Sequence, residues 1–326
     1  MAASVTSARF PGIAEGEGHY ESFYLKACHP TEALGVWIRY TVHKRPRHSP
    51  RGSIWFTLFD DSADGPVAYK ETLDEVGTGG DSLIHVGASR FSPGEVEGSA
   101  LEASWELAFD APEKPLFHLP RCWMYKAPVP RTKLLSPYPA ARFRGTVRAA
   151  GREISLDGWP GMVGHNWGSE HAERWIWLHG AGFDGHPAAW LDVAIGRVRL
   201  GPVTLPWIAN GVLSLDGERI PLGGPERLRS TDIRERPDHC DFTLTGRGAR
   251  VEGSVGSDAK NFVGWVYADP DGSQHHTVNC SISDMTLAVS RSGRPDTELR
   301  VTGGAAYELG MRERDHGMEI QPFPDG

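Results

Sequence analysis

Apolar and polar side chains alternate along much of the chain. In ALGVWIRYTVHK, every second residue from Leu34 to Val42 is apolar, while Trp37 and Arg39 fall on the opposite face. LEASWELAFD alternates in the same way, which predicts an antiparallel strand with one face in water. SIWFTLFD is apolar on both faces, which predicts a strand that is covered on both sides. This period of two is typical of β-strands.

Turn signals separate the alternating segments. Asp-Gly pairs at 184–185, 216–217 and 271–272 each lie between two such segments and predict β-hairpins. We find no long amphipathic helix with capping residues. The chain contains 39 glycines, 24 prolines and 11 tryptophans, a composition that favours strands joined by tight turns. We therefore expect an all-β fold, a sandwich or a barrel.

A proline-rich segment, KAPVPRTKLLSPYPAAR (126–142), interrupts the alternation. Since a chain of 326 residues is long enough for two cores, this segment is a plausible boundary. We expect an N-terminal β domain over residues 1–135 and a C-terminal β domain over residues 136–326.

Charge and cysteine content narrow the class of protein. The formal net charge is −8 and the isoelectric point is near 6.0, whereas a nucleic-acid-binding protein more often carries a basic face. No apolar run is long enough to cross a membrane, and MAASVTSARFPG lacks the pattern of a signal peptide. The four cysteines are scattered, which favours reduced, mostly buried thiols. We expect a cytoplasmic protein with no nucleic-acid partner and no transmembrane segment.

Familiar catalytic motifs are incomplete in this sequence. GGDSL at 79–83 has the letters of a hydrolase motif but lies in a glycine-rich turn of a β region. HAE at 171–173 lacks the PCxxC partner of a zinc deaminase. His165, His171 and His179 lack the spacing of a metal motif. Of the adjacent His275 and His276, at most one can serve a common site. We expect no metal and no cofactor.

The stretch GMVGHNWGSEHAERWIWLHG (161–180) is the strongest candidate for a site. On a strand, Trp175, Trp177 and His179 share one face and would line an apolar pocket with one polar group. Gly164 and Gly168 flank HNW, which predicts a tight turn at the pocket mouth. The alternative is a tryptophan-rich core with one hydrogen-bonded histidine.

The same stretch, extended to DGWPGMVGHNWGSEHAERWIWLHG, resembles the central motif of the hydroxyneurosporene synthase-like, or carotenoid hydratase-like, family. The wider group includes tocopherol cyclase-like proteins and fungal decalin-forming Diels-Alderases. ESFYLKACHP, VWIRYT, IWFTLFD and HHTVNCSISDMTLAV are also similar to this group. The resemblance implies two lipocalin-like antiparallel β-barrels packed together around an apolar ligand, with no nucleotide or metal.

The resemblance and the strand pattern together give the candidate residues. Protonation of an alkene requires an acid, and a carboxyl group in apolar surroundings has a raised pKa. Glu170, His171 and Glu21 are the candidates for supplying or shuttling this proton, although either glutamate can instead form a salt bridge, for instance to Arg39 or Arg174. The residues expected to contact the ligand are Trp37, Arg39, Trp55, His165, Asn166, Trp167, Trp175, Trp177 and His179.

Three functions follow from these observations. The first is a cofactor-independent enzyme that isomerises, cyclises or hydrates a hydrophobic isoprenoid or polyketide-like alkene. The second is a non-catalytic carrier or sensor of a lipophilic metabolite, which would need the same pocket. The third is an interaction protein with a filled core, which would have no cavity. The sequence does not indicate the oligomeric state.

Overall fold

The structure, a computed structural model, describes residues 6–200 and 203–323. Most of these residues lie in β-strands, and their only named helices are short 3₁₀ turns at Phe10–Gly12, Cys122–Tyr125, Pro225–Ser230 and Ala259–Asn261. None of these helices is long and apolar enough to span a bilayer. The expectation of an all-β chain is confirmed.

The first half of the chain forms a twelve-stranded antiparallel sheet. Its strands are β1 (His19–Cys28), β2 (Leu34–Lys44), β3 (Arg51–Asp60), β4 (Val67–Leu73), β5 (Val76–Gly79), β6 (Ser82–Val86), β7 (Ser89–Ser92), β8 (Glu95–Ala100), β9 (Ala103–Asp110), β10 (Leu116–Phe117), β11 (Thr132–Ala149) and β12 (Arg152–Gly168). The order is β4-β3-β2-β1-β12-β11-β9-β8-β7-β6-β5, with β10 paired to β11.

The second half forms a ten-stranded antiparallel sheet and a small ribbon. The strands are β13 (Arg174–Phe183), β14 (His186–Arg197), β15 (Arg199–Leu200), β16 (Val203–Thr204), β17 (Ile208–Leu215), β18 (Glu218–Gly223), β19 (Asp232–Glu235), β20 (His239–Gly246), β21 (Ala249–Gly256), β22 (Val263–Ala268), β23 (Gln274–Arg291) and β24 (Thr297–Met311). The order is β18-β17-β14-β13-β24-β23-β21-β20-β19; β22 pairs with β23, and β15 with β16.

Both sheets curl around an apolar core. In the first, Val86 on β6 lies over Gly52 on β3; in the second, Gly246 on β20 lies against Pro221 on β18, so that this sheet nearly closes. Alternate residues of β2 fill the first core, which confirms the predicted apolar face from Leu34 to Val42. On β9, buried residues alternate with more exposed ones, as the sequence predicts. The fold is two packed antiparallel β-barrels, as expected.

The two barrels pack through the outer faces of their sheets. Trp37 and Trp55 on the first sheet contact Trp265 on the second, with ring centroids 6.5 and 5.0 Å apart. Since β2 and β3 are covered by their own core on one side and by the second sheet on the other, nearly all of their residues are buried. This packing places the polar face of β2, including Arg39, in the protein interior.

All three predicted Asp-Gly hairpins are confirmed: they join β13 to β14, β17 to β18, and β22 to β23. At the second, Asp216 and Gly217 have φ values of 55° and 76°, which a type I′ turn requires. The chain changes sheets between Gly168 and Arg174. A boundary between separately folding units at residue 135 stays a prediction. All four cysteines are unpaired, and only Cys122 is exposed.

The predicted turn at GHNWG is wrong, because these residues lie within β12. Gly164 pairs with Tyr24 on β1, and a Cβ at Gly164 would overlap the Tyr24 ring. A Cβ at Gly168 would overlap the carbonyl oxygen of Arg131. These glycines therefore make room for neighbouring groups in a strand, and the chain turns only after Gly168.

Candidate functional site

A cavity of about 890 Å³ lies between the two sheets. Its walls include side chains from the outer faces of β1, β2, β12, β13, β22 and β24: Tyr24, Trp37, Arg39, Asn166, Trp175, Trp177, Tyr267 and Glu308. Aromatic rings therefore form much of the wall, and a few polar groups converge on it. This combination is typical of a small-molecule site.

Residues 118–130 line one side of the cavity before the chain enters β11. The segment contains the 3₁₀ turn Cys122–Tyr125 and ends in the prolines around Val129. Trp123 lies in this segment and is 65% exposed. The cavity thus reaches the protein surface beside an apolar segment.

His171, in the connection between β12 and β13, is held from two sides. Its ring stacks on Tyr20, with centroids 3.9 Å apart, and its Nδ1 lies 2.6 Å from Oδ1 of Asp269. Its backbone N–H also donates to Asp269 Oδ1, at 2.8 Å. Nε2 is buried and has no hydrogen-bond partner, while the residue lines the cavity. The free nitrogen of a histidine–aspartate pair is thus available to a ligand.

Asp269 is fully buried at the turn after β22. Burial alone would raise the pKa of Asp269, but hydrogen bonds from the His171 side chain and backbone hold it below its usual value. Ser273 Oγ donates to the other carboxylate oxygen, at 3.2 Å. The ionised carboxylate fixes the orientation of the His171 ring.

His275 lies on the other side of Asp269, with Nδ1 3.6 Å from Oδ2. Burial lowers the pKa of His275 to about 3, so this ring is neutral. His276 instead accepts a hydrogen bond from Arg314 Nε, at 3.1 Å. Only one of the two adjacent histidines therefore belongs to the cluster, in agreement with the sequence.

His171, Asp269 and His275 are also a possible set of metal ligands, since their donor atoms lie within 4.8 Å of one another. Two ligands on a tetrahedral zinc ion with bonds of about 2 Å would lie ~3.3 Å apart. The 2.6 Å between His171 Nδ1 and Asp269 is instead a hydrogen-bond distance. His171 and Asp269 are thus joined by a hydrogen bond, and the absence of a metal stays a prediction.

Glu308 on β24 brings a carboxyl group to the cavity. Its Oε1 accepts a hydrogen bond from Trp175 Nε1 at 2.9 Å, and its Oε2 accepts from Tyr267 and Asn279 at 3.2 and 3.1 Å. Both oxygens of the Glu308 carboxyl group therefore accept hydrogen bonds, and two of these bonds hold the wall residues Trp175 and Tyr267 in place. A Cβ at Gly310, two residues on, would overlap the Trp175 ring, so that glycine is required for this wall.

A second histidine–aspartate pair flanks the cavity wall. His118 Nε2 lies 3.6 Å from Oδ2 of buried Asp192, and His118 Nδ1 lies 3.1 Å from the Asn210 carbonyl oxygen. Burial would lower the pKa of His118, but the Asp192 charge outweighs it and raises that pKa. Asp192 also accepts from Trp177 Nε1 at 3.2 Å and from Ser136 Oγ at 2.5 Å. Every nitrogen of His118 therefore has a protein partner, in contrast to His171.

Half of the residues predicted from the sequence line the cavity: Trp37, Arg39, Asn166, His171, Trp175 and Trp177. Trp55 lies behind Arg39, whose guanidinium is 5.4 Å from the indole centroid. His179 is on the predicted face of β13 but does not line the cavity, since its Nε2 bonds to the Pro139 carbonyl at 3.1 Å. Burial lowers its pKa to about 4.

Glu21, His165 and Trp167 lie on the opposite face of the first sheet, away from the cavity. His165 Nε2 is 2.7 Å from Glu21 Oε1, and its ring stacks on Phe23 at 4.0 Å. Backbone N–H groups of residues 9 and 10 also donate to Glu21, at 2.9 and 2.8 Å. Although burial opposes ionisation, the hydrogen bonds from His165 and His19 lower the pKa of Glu21 to about 2. The expectation of a raised pKa is wrong for this residue.

Glu170 forms an ion pair with Arg131 at the surface, where 32% of its side chain is exposed. It does not line the cavity. Arg174 pairs instead with Glu235 and Glu313. The expected salt bridge therefore forms, but with a different arginine, and the geometry gives no support to Glu170 as the proton donor.

Several residues of the site were not predicted: Tyr24, His118, Tyr267 and Glu308 line the cavity, and Asp269 is bonded to His171. Three of them had a visible signal. Tyr267 and Asp269 continue the alternation that begins at Trp265, and Glu308 is an isolated charge in the apolar run GGAAYELGM. His118 and Tyr24 had none, since their positions depend on how the sheets pack.

Comparisons with known proteins identify the fold. The chain is 24% identical over 315 residues to an uncharacterized protein of Mycobacterium tuberculosis, an alignment that covers 93% of both. Among solved structures it is similar to a Nitrosomonas europaea protein provisionally assigned as AttH, at a TM-score of 0.57 and 13% identity, covering 94% of this chain and 97% of that one. It is also similar to kievitone hydratase from Nectria haematococca, at a TM-score of 0.55 and 11% identity, covering 92% of both.

No protein-family profile matches the sequence. The structural similarity therefore shows a shared two-barrel fold, which a kievitone hydratase also adopts. At these identities it carries no assignment of substrate or reaction.

Proposed function

We propose that this protein binds a hydrophobic, alkene-bearing small molecule in the cavity between its two sheets and hydrates, isomerises or cyclises it using side chains alone. One observation carries the proposal: the buried, unpartnered Nε2 of His171 in the cavity wall, on a ring whose Nδ1 is bonded to Asp269. This arrangement is that of a general acid held in place by a carboxylate.

The proposed step begins with the His171 imidazolium. The Nε2–H bond breaks and a C–H bond forms at one alkene carbon, which leaves a cation on the other. In a hydration, water adds to the cation and its proton returns to Nε2. In an isomerisation, Nε2 takes a proton from a carbon next to the cation. In a cyclisation, a second alkene of the same molecule first attacks the cation, and Nε2 then takes a proton from a carbon next to the new cation. Each route regenerates the imidazolium.

The cavity wall supports a cationic intermediate. Trp175 and Tyr267 present stacked rings with centroids 6.1 Å apart, and both lie within 6 Å of the His171 ring. Aromatic faces attract a nearby cation. The buried wall also limits the access of water to the reacting carbons.

Two further observations support the proposal that the protein is a hydratase-like enzyme. The sequence motifs resemble the hydroxyneurosporene synthase-like family, and the fold is shared with kievitone hydratase, whose name gives its reaction class. Isoprenoid or polyketide-like substrates and a cytoplasmic location stay predictions from the sequence. The roles of Trp37, Asn166 and Trp177 as ligand contacts belong to the same proposal.

The test is to incubate the purified protein with farnesol, methyl farnesoate and retinol and to analyse the extracts by mass spectrometry. Hydration adds the mass of one water molecule, while isomerisation or cyclisation changes retention at unchanged mass. We expect one of these changes, and we expect it to be absent with His171→Gln. Binding without any conversion would instead favour the carrier.

A further inference from the structure

We propose that the ligand is an unsaturated carboxylic acid and that Arg39 binds its carboxylate; this inference rests on the proposed function of the cavity. Arg39 lies on β2, in the cavity wall, and only 5% of it is exposed. A guanidinium stays charged in proteins, so a full positive charge is buried at this wall.

The protein itself does not neutralise this charge. Among residues 6–200 and 203–323, no carboxylate forms an ion pair with Arg39, and its Nε and Nη1 have no hydrogen-bond partner. The guanidinium lies instead over the Tyr267 ring, 4.1 Å from its centroid, and near Trp55. Aromatic faces stabilise the charge but leave Nε and Nη1 without acceptors.

Buried charges and buried N–H groups are normally paired, because leaving them unpaired is costly. Glu308, an acidic side chain that also lines the cavity, does have its partners: it accepts from Trp175, Tyr267 and Asn279. The Arg39 guanidinium therefore lacks a negatively charged hydrogen-bond acceptor. The planar fork of an arginine fits a carboxylate with two parallel hydrogen bonds.

The same geometry places the reacting alkene close to the acid group. The Tyr267 ring centroid is 4.1 Å from the Arg39 guanidinium and 5.9 Å from the His171 ring centroid. Arg39 and His171 therefore lie against the same ring, so the double bond that meets His171 belongs to the part of the chain near the carboxylate rather than to its far end. An acid with a double bond near its carboxyl group, such as farnesoic acid, meets both conditions.

The experiment compares farnesoic acid with its methyl ester and with farnesol by tryptophan fluorescence titration. At about pH 7 the acid is ionised, since carboxyl groups titrate near 4 to 4.5, while the ester and alcohol are neutral. We expect the wild-type protein to bind the acid about tenfold or more tightly than either neutral compound. Equal affinities for the three compounds would overturn the inference, and this arm requires no variant.

Arg39→Met keeps much of the side-chain length and removes the charge. We expect it to abolish the preference for the acid while leaving ester and alcohol affinities within about threefold of wild type. Arg197→Met is the matched control, because Arg197 also lies over an indole, that of Trp207, with an unpartnered Nε, but does not line the cavity. A preference that survives in Arg39→Met would also overturn the inference.

The outcomes separate this inference from the proposed function. If none of the three compounds binds, the proposed function of the cavity fails, and this inference fails with it. If all bind equally and are converted, the proposed function stands and the role of Arg39 is wrong. If the acid is preferred but not converted, Arg39 recognises the anion and the protein is a carrier of lipophilic acids.

Discussion

His171 and Asp269 are 98 positions apart in the chain, and the Nδ1 of one lies 2.6 Å from a carboxylate oxygen of the other. His171 lies in the connection from the first sheet to the second, and Asp269 in the turn between β22 and β23. The hydrogen bond therefore joins the inter-sheet connection to a hairpin of the second barrel, at the wall of the cavity.

The first prediction concerns Asp269. In Asp269→Asn the carboxylate that bonds to His171 Nδ1 and orients the ring is lost, so we expect turnover to fall by about 10²–10⁴-fold. Ligand affinity should change little, because Asp269 does not line the cavity. Asp271→Asn, in the same turn but exposed, is the control and should keep full turnover. Turnover and fluorescence titration on the same preparations check both statements.

The second prediction concerns the aromatic wall. Trp177→Phe removes part of an indole that faces the cavity, and we expect the dissociation constant for a bound ligand to rise about 3- to 10-fold. Trp159→Phe is a matched control, since Trp159 is equally buried but packs in the core of the first barrel. An unchanged affinity in Trp177→Phe, measured by calorimetry, would show that the ligand does not reach this wall.

The third prediction concerns pH and Glu21. Because the pKa of Glu21 falls from 4.5 to about 2 on folding, its ionised form stabilises the fold above pH 4.5, and this stabilisation is lost as the pH falls toward 2. The expected contribution at neutral pH is about 3 kcal/mol. Urea unfolding of Glu21→Gln should show this loss at pH 7 and a flatter pH dependence below 4.5.

Glu170→Gln provides the comparison. Its ion pair with Arg131 is largely exposed, so we expect its removal to change the free energy of unfolding by about 0–1 kcal/mol. Equal losses in the two variants would contradict the assignment of Glu21 as the buried structural carboxylate.

The sequence predicted the fold well because strand periodicity and turn chemistry are local. Asp216-Gly217 specifies its hairpin through its own backbone angles, and the alternation from Leu34 to Val42 identifies a core face without knowledge of its partner. The same local reasoning wrongly predicted a turn at Gly164. Glycine is needed there because a side chain would overlap the ring of Tyr24 on another strand.

The site was predicted only in part, because it depends on which faces of two sheets meet. Trp37, Arg39 and Asn166 were expected to contact the ligand, and they do line the cavity. His165 and Trp167 are neighbours of Asn166 in sequence. Because successive side chains of a strand point to opposite faces, these two point into the first barrel. Asp269 could be paired with His171 only once the packing of the second barrel was known.

The fourth prediction concerns metal content. The His171 to Asp269 distance is that of a hydrogen bond, so we expect dialysis against a chelator to leave fold and turnover unchanged. Elemental analysis should find less than one tightly held transition metal ion per chain. A stoichiometric ion that is lost in His275→Gln would instead assign the cluster as a metal site.

The central claim is that His171 gives its proton to the ligand, and solvent deuterium tests it most directly. In D₂O the proton on Nε2 is exchanged, so a ligand converted by the wild-type protein should carry one deuterium on carbon, as seen by mass spectrometry. We expect Glu170→Gln to incorporate deuterium at the wild-type rate, and His171→Gln to bind the ligand but incorporate none. Deuterium incorporation that persists in His171→Gln, or that is lost in Glu170→Gln, would contradict the account.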